Sequence, residues 1–117
     1  MLPECIEKIV KRIQIQPFQW RGTEWRVPKF QVYAILQHPV AERFVYHEQQ
    51  KVAILSLGKY DVPLFDPCHH DMESMPAHAV VLSHTKGNRF GLFAYPADLV
   101  LKSFSLPNDH TMISKLR

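Results

Sequence analysis

The stretch that decides the fold is KVAILSLGKYDVPLFDP, residues 51 to 67. A β-branched and aliphatic run reaches Leu57, the pair Gly58-Lys59 interrupts it, and a second apolar run closes on Asp66-Pro67. Strands favour branched and aromatic side chains, and glycine supplies the backbone freedom of a tight reversal, so the segment reads as a β-hairpin. Val62 then belongs to its core face.

The same pattern recurs outward in both directions. AVVLSHTKGNRFGLFAY, residues 79 to 95, places a turn at Lys86-Gly87-Asn88, and LVLKSF, residues 99 to 104, extends the sheet. Towards the N-terminus, Ile15, Phe18, Trp20 and, past a turn at Arg21-Gly22-Thr23-Glu24, Trp25 and Val27 follow a period of two and form a first hairpin. Pro28 opens a short helical segment with Phe30, Val32, Ile35 and Leu36 on one face, stopped at His38-Pro39. Between residues 40 and 51 only Phe44 to Tyr46 suggests a strand. Residues 1 to 14 read as an N-terminal amphipathic helix, with Cys5, Ile6, Ile9, Val10 and Ile13 at helical spacing, and residues 107 to 117 as a polar tail. Short strands joined by hairpins, with helices only at the edges, argue for a mainly β protein of small-barrel type.

A chain of 117 residues is the size of one domain, and 46% hydrophobic with 21% charged residues is the composition of a globular one. No run approaches the roughly eighteen apolar residues of a membrane span, and MLPECIEKIVKR lacks a signal peptide's apolar centre; no membrane insertion and a cytoplasmic location are expected. Thiols stay reduced there, so Cys5 and Cys68 are not expected to pair, and their separation fits no zinc finger. The net charge of +3 is spread among acidic residues rather than gathered in a tract, which disfavours a nucleic-acid partner.

The order of these units resembles the CheW-like domain, the module that couples chemoreceptors to a histidine kinase in bacterial chemosensory arrays. FQWRGTEWRVP resembles its opening hairpin and PKFQVYAIL the short helix after it. LSLGKYDVPLFDP is similar to the signature N-L-R-G-x-x-x-P-x-x-D-L, with Leu57, Pro63 and Asp66 in register, and AVVLSHTKGNRFGLFAYPADLVL resembles the late hairpin with Gly91 in place. The likeness spans residues 15 to 106. It implies SH3-like β-barrel subdomains, no catalysis, no cofactor, and a protein adaptor in chemotaxis or pilus-motility signalling. It also implies a partner contact, with kinase or receptor, at Ser56, Leu57, Gly58 and Lys59, where Gly58 takes the place of the signature arginine. The family's closing strands have no counterpart here, so the first barrel is expected to be incomplete; its open edge can be covered by the N-terminal helix with its Ile6, Ile9, Val10 and Ile13 stripe, by a strand of another protein or, the preferred expectation, by a second copy.

Two other chemistries compete with this. DPCHHDMESMPAH, residues 66 to 78, gathers Cys68, His69 and His70, and His84 lies on a following strand; together they define a small metal-binding alternative. In an extended segment, however, Cys68 and His70 face one side and His69 and Asp71 the other, so each side offers two ligands, and His78 or His84 must fold in. Where the family carries a short helix with packed leucines, this polar stretch is expected to be an exposed loop that has lost its packing. The second alternative is a single-strand nucleic-acid barrel stacking bases on Trp20, Trp25, Phe90 and Tyr95 beside Arg21, Arg26 and Arg89. No nucleophile elbow, phosphate-binding loop or dinucleotide fingerprint is present.

Overall fold

Tight reversals build the sheet framework. The computed structural model describes residues 12 to 107. It holds strands β1 (Arg12–Trp20), β2 (Thr23–Pro28), β3 (Val32–Gln37), β4 (Arg43–His47) and β5 (Gln50–Leu57). Strands β6 (Tyr60–Leu64), β7 (His78–Lys86), β8 (Arg89–Ala97), β9 (Leu99–Val100) and β10 (Phe104–Pro107) follow. Two-residue loops close the β1–β2, β4–β5, β5–β6 and β7–β8 hairpins. Gly58 and Gly87 each take the first loop position at positive φ, the backbone that twists paired strands correctly.

The strands form two sheets. One runs β10-β1-β2, with β9 also on β1; the other runs β3-β7-β8-β6-β5-β4. On one side of β1, β10 pairs with residues 12 to 15 and β9 with Phe18 and Gln19, leaving a gap at Pro17, which has no N–H to donate. The Gln16 side chain spans it, donating from Nε2 to Leu101 O (2.7 Å) and Pro17 O (3.0 Å).

The larger sheet curls round a first core of Ala53, Leu55, Val62, Leu64, Ala79, Val81, Leu92 and Ala94. Val62 is fully buried, as its place in the hairpin predicts. A second core lies between the sheets, where Phe18 and Val27 meet Val80, Leu82 and Ala97. Strand β7 serves both, alternate residues facing opposite ways, which is why AVVL is apolar without interruption. At the sheet junction the Asp66 carboxylate is fully buried. It accepts from Trp20 Nε1–H (2.9 Å) and Cys68 N–H (2.7 Å), with Arg21 Nε at 3.5 Å.

The structure corrects several expectations. Residues 28 to 37 are not a helix: a single 3₁₀ turn, Lys29–Gln31, leads into β3, whose residues alternate in exposure and pair with β7. The apolar spacing there fits both periods, and pairing to an available edge decides for strand. Residues 12 to 14 of the expected N-terminal helix belong to β1, held by β10; its other residues, Cys5 among them, lie outside the described ones. Pro107, assigned to the tail, ends β10. No α-helix occurs among the described residues. Nor, among the described residues, is either sheet a closed barrel: no ladder joins β3 to β4, which stand at the edges of the larger sheet, and no further strand pairs with β2 or β10 in the smaller.

Two predictions follow from the junction. Asp66→Ala leaves the buried Trp20 donor without a partner and frees the Cys68 amide that holds the following loop, and is expected to lower stability by about 2 kcal/mol, measured by urea denaturation. Tyr95, between the sheets, has its pKa raised above 10.0 by desolvation. Because the unfolded chain ionises first, this contribution is complete below pH 10 and is lost as pH climbs from there to the folded value. Tyr95→Phe should flatten that alkaline decline in denaturation midpoint relative to the unmodified chain.

Candidate functional site

The turn singled out by sequence stands at one end of the curled sheet. Ser56, Gly58 and Lys59 are exposed, while Leu57 is half-buried against the first core. Beside them Tyr33, Tyr60 and Phe90 close the mouth of that core as a cluster of rings, with centroids 5.6 to 6.5 Å apart and all three pairs steeply inclined. Tyr33 is 50% and Phe90 46% exposed. Lys59 Nζ lies 5.4 Å from the Tyr60 ring centre.

Tyr33 reaches this cluster because of a bulge. Val32 opposes Leu82 and Ala34 opposes Val81, so Tyr33 is the extra residue in the register. Val32 packs into the core between the sheets and Ala34 into the curled one, and the inserted residue is aimed at the mouth. Bulges recur where a strand must redirect a side chain. The bulge is invisible in the sequence, which carries no glycine or proline at that point, and the three rings come from segments far apart in the chain.

The 66–78 connection is tied down rather than loose, a correction to the expected loss of packing. Asp71 Oδ1 accepts from Lys51 N–H (2.7 Å), Met72 N–H donates to Lys51 O (3.0 Å), and the Met72 side chain is buried in the first core with Met75 against it. Two methionines thus do the packing that leucines would do in a helix. Cys68, His69 and His70 are exposed. His69 Nδ1 lies 3.4 Å from Gln50 Oε1, whereas His84 sits across from Gly91 with its ring against Phe93. The four residues of the metal alternative are not brought together, and no group of three or more His, Cys, Asp or Glu converges among the described residues.

The nucleic-acid alternative disperses likewise. Trp20 is buried on Asp66, Trp25 and Tyr95 pack into the core between the sheets, and Phe90 remains at the surface in the ring cluster. Arg21 is drawn to Asp66 and Arg26 to Glu24 (2.8 Å).

A concavity of about 700 Å³ that the sequence did not suggest lies on the outer face of β4, β5 and β6. Val45, Val52, Ile54, Pro63 and Phe65 line it, with His47, Gln50 and His69 among its polar residues. The Glu48-Gln49 loop at its rim has both residues at positive φ, 51° and 67°, where side chains are strained. No helix among the described residues is long and apolar enough to cross a membrane. No family model matches the chain, and no curated protein matches it.

Glu48→Asn combined with Gln49→Gly supplies the residues that such a two-residue turn favours. The pair is expected to raise stability by about 1 to 2 kcal/mol, read from the urea midpoint at constant m-value.

Proposed function

We propose that the chain is a non-catalytic protein–protein adaptor whose contact surface is the Ser56–Lys59 turn together with the ring cluster beside it. The observation that carries this is the bulge that turns Tyr33 out of register and leaves it half-exposed against Tyr60 and Phe90. Exposed aromatic residues held rigidly by their neighbours are the usual anchors of protein interfaces, and cations around them set encounter rate and choice of partner.

The resemblance of LSLGKYDVPLFDP and its flanking hairpins to CheW-like modules supplies the class of partner: a histidine kinase or chemoreceptor of a cytoplasmic chemotaxis or pilus-motility system. In that reading the curled sheet corresponds to one SH3-like barrel and the smaller sheet to the other, incomplete one. The edges of β2 and β10, unpaired among the described residues, are where a second copy would add strands. Neither a metal nor another cofactor has a part in the proposed activity.

Affinity capture from the native cell, followed by mass spectrometry, tests the reading. The unmodified chain is expected to recover a kinase or receptor of such a system, and Ser56→Arg with Lys59→Glu to lose it while unfolding at the same urea concentration. Leu57 is a poor probe, because it also packs on the core. Capture that is unchanged by the double variant would place the contact elsewhere and sink the proposal.

A further inference from the structure

Building on the adaptor reading, we infer that the surface around Lys59 takes an acidic peptide segment bearing an aromatic or aliphatic anchor. Charge supports the acidic half. Lys59 sits in the β5–β6 turn, and Lys86 and Arg89 flank the β7–β8 turn next to Phe90. Among the described residues none of the three has an ion-pair partner, although Arg21, Arg26 and Arg43 each have a carboxylate oxygen within 3.5 Å. Asp61, the acidic residue following Tyr60, is held by Arg43 at 3.3 Å. Unpaired cations at two hairpin tips leave a positive field that an acidic segment complements.

Ring geometry supports the anchor. Base stacking needs open ring faces, but these rings meet each other at 57° to 73°, and Lys59 lies over Tyr60. What the cluster offers is the exposed ring surface of Tyr33 and Phe90, held in place by Tyr60, against which an apolar side chain can pack. Gly58 and Gly87 hold the tips in tight turns, so little chain entropy is lost on docking.

Phage-displayed random peptides selected on the immobilised chain, with enriched sequences synthesised and titrated by fluorescence anisotropy, test this. Asp- and Glu-rich peptides with a Phe, Trp or Leu are expected. Their binding should weaken with added salt, by about 10-fold in Lys59→Glu/Lys86→Glu/Arg89→Glu and by about 30-fold in Tyr33→Ala. The charge reversals lie at exposed positions and decide the matter should Tyr33→Ala fail to fold. Neutral or basic winners, or acidic winners indifferent to charge reversal, overturn the inference while a partner recovered by capture keeps the adaptor reading. No enrichment over blank support overturns it too, and, if capture also recovers no partner, the adaptor reading falls with it. An oligodeoxythymidine that displaces the peptides, or binds where none do, overturns it in favour of nucleic acid.

Discussion

A buried carboxylate organises this molecule. Asp66 lies two residues past the end of β6, where one sheet meets the other, and takes the indole N–H of Trp20 from β1 across the junction. An ionised group away from water is costly unless donors surround it, and here the indole, the Cys68 amide and the Arg21 guanidinium converge on it. The backbone carbonyl of the same residue accepts from the His69 amide and the Gln50 side chain, so the loop after β6 and the start of β5 share the anchor. The position of the smaller sheet, the path of the 66–78 connection and one end of the concavity on β5 therefore depend on one side chain and its backbone.

From that junction the two cores follow. Strand β7 is buried on both faces because the curled sheet closes over one and the smaller sheet covers the other. The smaller sheet reaches β7 and β8 while the outer face of β4 and β5 keeps the concavity, so Val52 and Ile54, each more than nine-tenths buried, form its floor without joining either of the two core clusters. At the opposite end of β5, the turn at Gly58 and the bulge at Tyr33 bring three rings together at the mouth of the first core. The fold thus separates a structural end, at Asp66, from an end where apolar and cationic groups are exposed.

How much was legible depended on whether local chemistry and tertiary contacts agreed. The hairpins at Gly58, Gly87 and Arg21-Gly22 could be read because glycine marks a backbone that other residues avoid. The Glu48-Gln49 turn could not, since neither residue favours positive φ and only the β4–β5 ladder imposes it. The segment from Phe30 to Leu36 carried apolar residues compatible with either period, and the free edge of β7 drew it into a strand. In DPCHHDMESMPAH the crowded ligands attracted notice, yet Asp66, Asp71 and Met72 hold the segment while Cys68 and the neighbouring histidines face solvent.

By itself, then, the sequence determined a mainly β chain, the position of the tight turns that carry glycine, and the central hairpin with Val62 inside. These rest on alternation and glycine geometry, which act over a few residues. The tertiary structure alone decided the parallel contact of β6 with β8, the open edges at β3 and β4, the burial of Asp66 beneath Trp20, and the meeting of Tyr33, Tyr60 and Phe90. Each of these joins segments distant in the chain, and which distant segments meet is set by how the two cores pack.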